Sequence, residues 1–332
     1  MSTRGPISTI PSPANKPVAH QSAGTYRDPM DHDVAAMMRK ALPEWTIAEI
    51  LPRSGGQLAT VFEVRRADGA AVIVKVYAPE WAWKQAKEVY VYGLLEPSLK
   101  DLVPAVIHAE PAGETHAFTV LSMVDGVPLS EITPPDYRPI YEQAGALLAK
   151  IHRIRQPAYG YLTDQVLEPL PSNDLYMRRQ FAKKLDEFQE LGGDPALHAR
   201  ITRYVAEHPF PADTHPVLCH NDFHEGNLLV DPETWRLTGI IDVENAIAAD
   251  PLIDLAKVQY YSIKDDGAKL EGLLTGYGEL PAGWEQRATG YRLYHALELW
   301  DWFKLIGVID PLESIAGDLA DIVGTAGADA VR

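Results

Sequence analysis

Cysteine is nearly missing from this chain: Cys219 is the only one in 332 residues. A single thiol forms no intramolecular disulfide, so a disulfide-stapled scaffold is excluded and a reducing, cytoplasmic setting is expected. Basic residues are also scarce, 30 Lys+Arg against 46 Asp+Glu, for a formal net charge of −16. That excess repels phosphodiester backbones and anionic lipid, so neither nucleic acid nor a membrane is expected as a partner. No run approaches the roughly 18 uninterrupted apolar residues of a membrane-spanning helix. Outside residues 151–224, histidine forms neither an H-x-x-x-H nor a Cys/His pattern, so no zinc site is expected.

What is present is a globular composition, 46% hydrophobic and 23% charged, at a length that suits one large or two modest domains. Residues 1–32 stand apart, with Pro6, Pro11, Pro13, Pro17 and Pro29 among small polar residues. They hold too few large apolar side chains to offset the entropy of ordering, so a disordered tail is expected. The tail lacks the apolar stretch of a secretory signal, and its prolines break the helix of a transit peptide. From Asp33 onward, periodicity predicts a helix over 33–41 and strands at 46–51, 60–66 and 71–77. Ala67-Asp68-Gly69 makes a hairpin turn between the last two. A helix from Pro79 to Leu95 and strands at 103–108 and 117–124 follow. Beyond them the pattern is helical over 137–154, 174–191, 195–207, 251–260, 267–278 and 284–308, with one β-type island at 217–247. The reading is an α+β fold with an antiparallel-sheet unit at 33–124 and a mostly helical unit at 125–332.

The island carries the chemistry. It reads His220-Asn221-Asp222-Phe223-His224-Glu225-Gly226-Asn227 between two apolar runs, then Ile240-Ile241-Asp242 at the end of the next strand. Phosphoryl transfer needs a carboxylate to take the nucleophile's proton and an oxygen-rich pair to hold Mg²⁺ on nucleotide phosphates. An Asp, an Asn five residues on and a second Asp 20 residues on supply those groups. The alternative is a surface hairpin whose Asn and Asp merely turn the chain. Upstream residues favour the first reading. Ser54-Gly55-Gly56 between two strands lets backbone N–H groups approach phosphate oxygens, although alone it reads as a turn. Lys75 interrupts the apolar strand Val72-Ile73-Val74, and a buried lysine needs an anion, for which Glu88 on the next helix is a candidate. An outward-facing lysine on an edge strand is the alternative.

Taken together, from about Thr46 to Ile306, the chain resembles the aminoglycoside phosphotransferase and choline kinase-like family of small-molecule kinases. The resemblance implies the bilobal protein-kinase-like fold and ATP-dependent phosphorylation of a hydroxyl. It implies Asp222 as catalytic base, Asn227 and Asp242 as Mg²⁺ ligands, and Lys75 on the α- and β-phosphates, oriented by Glu88. It places the adenine against the backbone of Ser122 to Val124, and makes Asp254, in Asp250-Pro251-Leu252-Ile253-Asp254-Leu255-Ala256, a structural residue bonded to the catalytic loop. No Arg precedes Asp222, no Asp-Phe-Gly occurs, and His224 stands two residues after the base, so a protein substrate is disfavoured.

Acceptor identity is read from the C-terminal third. Residues 250–332 hold 14 acidic against 7 basic residues. On the helix at 284–308, Glu298 and Asp301 interleave with Tyr291, Tyr294 and Trp302 at three- and four-residue spacing. Carboxylates among aromatic rings suit an ammonium-bearing guest, and a solvated helix flank is the alternative. The expected acceptor is a cationic hydroxyl compound, aminoglycoside-like or an amino sugar. A metabolic alcohol such as choline or homoserine comes second, and a catalytically inactive nucleotide-binding scaffold third.

Overall fold

The computed structural model describes residues 33–53, 59–113, 116–212 and 214–329, with side chains described up to residue 324. The expected tail at 1–32 and Ser54, Gly55 and Gly56 lie outside the described residues. Asp33 opens α1 (Val34–Ala41) by accepting the Ala36 N–H at 2.7 Å. Five antiparallel strands follow, β1 (Ile47–Arg53), β2 (Ala59–Arg66), β3 (Ala71–Tyr77), β4 (Val106–Glu110) and β5 (Phe118–Ser122), in the order β1-β2-β3-β5-β4. The middle strand β3 sets Lys75 opposite Val61 and Thr119. Alternation splits its side chains between two faces. Val72, Val74 and Val76 pack on Val34, Met37 and Met38 of α1. Lys75 and Tyr77 turn the other way, towards α2 (Trp83–Leu99).

Helix α2 starts later than periodicity suggests, after a 3-10 turn at Pro79–Trp81. Its first half buries Lys84, Gln85, Lys87 and Glu88; its second half buries Val91, Tyr92, Leu95 and Leu99. The apolar half joins the large core, while Gln85 donates to the carbonyls of Glu110 and Phe118 at 2.7 and 2.6 Å. Helix and sheet are thus tied by polar bonds at one end and by apolar packing at the other.

The remaining chain is chiefly helical. After β6 (Val127–Pro128) come α3 (Arg138–Ile151), the hairpin β7 (Tyr159–Leu162) and β8 (Val166–Leu170), α4 (Asn173–Glu190) and α5 (Pro195–Glu207). Four short strands follow: β9 (Val217–Cys219), β10 (Leu228–Val230), β11 (Leu237–Ile240) and β12 (Ile247–Ala249). The last helices are α6 (Leu252–Val258), α7 (Gly267–Tyr277), α8 (Trp284–Leu305) and α9 (Leu312–Asp329). The β7–β8 hairpin and α9 have no counterpart in the sequence reading. Pro169 obscures the hairpin pattern, and α9 is rich in Gly and Ala, which mute its apolar stripe.

Two small sheets, β11-β10-β6 and β8-β7-β12-β9, place the site. Consecutive strands β9 and β10 lie in different sheets, and so do β11 and β12. The links at 220–227 and 241–246 therefore cross the same gap side by side. One polar loop is brought against the other by topology before any side chain is considered.

Helices α3 and α7 cross at backbone contact. A Cβ added to Gly145 would strike the Leu273 carbonyl oxygen, one on Gly272 the Arg138 carbonyl, and one on Gly276 the Glu142 carbonyl. Rigid backbone on both sides cannot yield as a side-chain tip would. Gly276→Ala is therefore expected to lower the unfolding free energy by about 2 kcal/mol in urea denaturation. Gly93, exposed on α2 with nothing within 4 Å of an added Cβ, behaves oppositely. Gly93→Ala is expected to add about 0.5–1 kcal/mol through helix propensity and reduced freedom of the unfolded chain.

Candidate active site

The link at 220–227 leaves β9, whose three residues are all buried, and is held by one carboxylate. Asp254, fully buried on α6, accepts the N–H of His220 and the N–H of Asn221 on its two oxygens, each at 2.7 Å. His152 Nε2 lies 3.0 Å from the same group, and Tyr277 OH lies 2.8 Å from His152 Nδ1. Burial works against the charge of Asp254, but His152 and then His220 outweigh it and keep its pKa below the ordinary value. The bonds draw the backbone of Asn221 into the left-handed region, φ 56°, which Asn tolerates. Cys219 sits close by, fully buried, with its thiol pKa pushed well up by burial. His152, Cys219 and Asp254 are near enough together for a metal, yet both Asp254 oxygens already accept N–H groups. The trio is a loop anchor.

Asp222 follows. Its Oδ2 accepts Nδ2 of Asn245 at 3.2 Å, and its Oδ1 lies 3.7 Å from Lys257 Nζ and 3.6 Å from His224 Nε2. Burial alone would raise its pKa; Lys257 first, then His224, overcome this and hold the carboxyl below its usual value. It is ionised at neutral pH, as a base must be. Asn227 donates through Nδ2 to the Asp222 carbonyl at 2.9 Å, which leaves its amide oxygen for another partner. The neighbouring link is tied in by the Ile241 N–H to the Asn227 carbonyl at 3.0 Å and by His220 Nε2, 3.2 Å from the Ile241 carbonyl. Asp242 then turns through φ 64°.

Lys75 reaches this place from the sheet. Its ammonium lies 2.8 Å from Glu88 Oε1 and 3.5 Å from Asp242 Oδ1, while Tyr77 OH donates to the other Glu88 oxygen. Burial disfavours the Lys75 charge, but Glu88 and then Asp242 hold its pKa well above the ordinary value. Oδ1 of Asp242 is a buried acceptor with no hydrogen bond. A buried oxygen without a hydrogen bond, and an Asn227 amide oxygen left free by Nδ2 donation, on links joined through Ile241, are hard donors of the kind Mg²⁺ takes, so the residues fit that ion.

Asp222, Asn227, Asp242, Lys75 and Glu88 are thus brought to one place. Ser122 ends β5 with its N–H donating to the Ala105 carbonyl at 2.9 Å, and Val124 follows, its side chain against Gly239 of β11. Glu298 lies 3.4 Å from the same Lys257 ammonium that stands 3.7 Å from Asp222. Asp301 lies deeper, 3% exposed, with Lys184 of α4 at 3.8 Å. Four residues were missed in the sequence. Asn245 and Lys257 contact Asp222, and a nearly buried Lys84–Glu244 pair at 3.0 Å joins α2 to the link that carries Asp242. Lys257 lies in a helix buried along its whole length, which the sequence alone does not show.

Comparison with known proteins gives a consistent picture. A model of the phosphotransferase enzyme family matches residues 49–289. An aminoglycoside 3'-phosphotransferase of Streptomyces ribosidificus is 32% identical over 160 residues, 46% of this chain and 57% of that relative. The chain spans little more than half the length of the curated relatives it matches. Among solved structures, a thermostable aminoglycoside phosphotransferase APH(4)-Ia in ternary complex with AMP-PNP and hygromycin B superposes with TM-score 0.69. Its identity is 16%, over 89% of this chain and 99% of that one. The macrolide 2'-phosphotransferase MphH of Brachybacterium faecium superposes at 0.60, with 18% identity over 87% and 98% of the two chains. At such identities the likeness is one of fold, α+β and protein-kinase-like. Among the described residues no helix is long and apolar enough to cross a membrane.

His220 yields a pH prediction. Burial, only partly countered by Asp254, lowers its pKa from the ordinary 6.5, so the folded state favours the neutral ring. Below that value the unfolded chain takes up a proton that the folded loop refuses, and stability falls as the pH drops. The contribution is at most about 1.4 kcal/mol per pH unit. In urea titrations at pH 7.5 and 5.5, His220→Gln should lose less stability on acidification than the wild type. An unchanged difference between the two pH values would mean the ring titrates normally.

Proposed function

The chain belongs to the phosphotransferase enzyme family, and on that premise we propose that it moves the γ-phosphoryl group of ATP to a hydroxyl of a small, amine-bearing acceptor. An aminoglycoside-like antibiotic or an amino sugar fits best. One observation carries the reading: two links that cross one gap bring together an ionised Asp222, Asn227 and Asp242, and the buried, charged Lys75 of β3 reaches Asp242.

In this reading Asp222 takes the proton of the acceptor hydroxyl. The acceptor oxygen bonds to the γ-phosphorus as the bond to the β–γ bridging oxygen breaks, and ADP leaves with that electron pair. Lys75, steadied by Glu88, binds the α- and β-phosphates. The backbone of Ser122 to Val124 meets the adenine. Asn227 and Asp242 would hold Mg²⁺, which when bound neutralises charge on the phosphates. A cavity of about 290 Å³ beside the catalytic loop, lined by Ser130, His224, Glu225, Gly226, Tyr261 and Ser262, is where we place the acceptor.

Support for an amine on the acceptor comes from the 14 acidic against 7 basic residues over 250–332 and from the aminoglycoside and streptomycin kinases among the relatives. A second reading, a less charged metabolic alcohol, draws on the lysines that face Glu298 and Asp301. ATP consumption with kanamycin, hygromycin B, amino sugars and amino alcohols, each beside its N-acetylated form, separates the two. An acceptor bound through its ammonium should show KM raised more than about tenfold on acetylation, the equivalent of one charge-assisted bond. Equal KM values would favour the less charged alcohol, recognised without its amine.

Asp222→Asn should lower kcat by about 10²–10⁴ while ADP affinity stays within about twofold. Retained turnover would remove Asp222 from the role of base. Asp242→Ala should instead abolish the gain in nucleotide affinity that Mg²⁺ brings, read by calorimetry with and without the ion.

A further inference from the structure

Residues 220–227 contain no lysine or arginine, so the positive charge beside the base comes from elsewhere in the chain. It comes from α6. Lys257 Nζ donates to the Asn221 carbonyl at 2.7 Å, immediately before Asp222, and lies 3.7 Å from Asp222 Oδ1. The residue is 5% exposed, in a helix buried along its whole length. Its ammonium also faces the Tyr261 ring at 5.0 Å and Glu298 Oε2 at 3.4 Å. Glu298 is steadied in turn by His295 Nδ1 at 3.4 Å, and His295 Nε2 lies 2.9 Å from the Ile253 carbonyl, back on α6. Lys257 thus ties α6 both to the catalytic loop and to α8, and α8 returns to α6 through His295.

Resting on the phosphotransferase reading above, we propose that Lys257 is a positioning residue for the base, and that Glu298 holds Lys257 in place instead of contacting the acceptor. Two things follow from the geometry. The hydrogen bond to the Asn221 carbonyl supports the left-handed turn that aims the next side chain, alongside the bond of Asp254 to the Asn221 N–H from the same helix. The ammonium meanwhile restrains Oδ1 of Asp222, while Asn245 restrains Oδ2. Each carboxylate oxygen has its own partner, so the base has one orientation instead of several. The competing explanation is that Lys257 exists only to neutralise a buried Glu298.

Hydrolysis of Mg²⁺-ATP without acceptor tests this, because water then stands in as the nucleophile and needs the same base. The decisive variant is Lys257→Met with Glu298→Gln, which removes both charges together and leaves no buried ion unpaired. We expect its kcat to fall more than about tenfold, with KM for ATP and ADP affinity within about twofold of wild type. Lys257→Arg should recover kcat to within about threefold, since it restores the charge. Glu298→Gln alone should lower kcat by no more than about threefold and leave the acceptor KM unaltered. Wild-type kcat in the double variant would overturn the proposal and leave Lys257 as a counter-ion. A raised acceptor KM in Glu298→Gln with unchanged hydrolysis would overturn the role given to Glu298. Asp222→Asn is the companion measurement: if it too hydrolyses ATP at the wild-type rate, the phosphotransferase reading itself fails.

Discussion

One buried carboxylate orders this active site. Asp254 gives its two oxygens to successive backbone N–H groups, and so fixes the direction in which the chain leaves β9. Backbone N–H groups in a buried loop must find acceptors, and no strand is available to supply them here. The position of Asp222, the donation from Asn227 to the Asp222 carbonyl, and the contact of the second link through Ile241 all presuppose that turn. Removing the carboxyl group at residue 254 would free both N–H groups at once.

The parts of the site legible in the sequence are those whose chemistry and spacing coincide within one segment. Asp222, Asn227 and Asp242 share a single β-type island, and short spacing between polar residues survives any uncertainty about tertiary arrangement. Lys75 was legible for a different reason, a charged residue where strand periodicity demands an apolar one, and its central strand and the Glu88 contact account for it. The N-terminal sheet, with its single inserted helix, was equally open to reading because hairpins are local.

What escaped was long-range. Lys257 and Asn245 reach Asp222 from 35 and 23 residues away in sequence, and Lys84 meets Glu244 across 160. Charged residues in helices read first as surface, and only burial along all of α6 shows that Lys257 points inwards. The stripe bearing Glu298 and Asp301 illustrates the converse. Its spacing promises a negative face, whereas each carboxylate is met by a lysine from another helix. Periodicity locates a face but does not say what opposes it.

The crossing of α3 and α7 has a consequence for how this protein can diverge. Tyr277 and Lys269 of α7 reach His152 and Glu225, so the angle of that helix is felt on both sides of the catalytic loop. Where two helices meet through side chains, a drifting sequence can retune their angle by trading one volume for another. Here the facing groups at Gly145, Gly272 and Gly276 are main chain, which every replacement retains. The helix pair is a fixed hub, and the room for change lies in the segment that precedes α7, the π-helical turn Gln259–Ile263 and the two aspartates after it, where Tyr261 and Ser262 face the cavity.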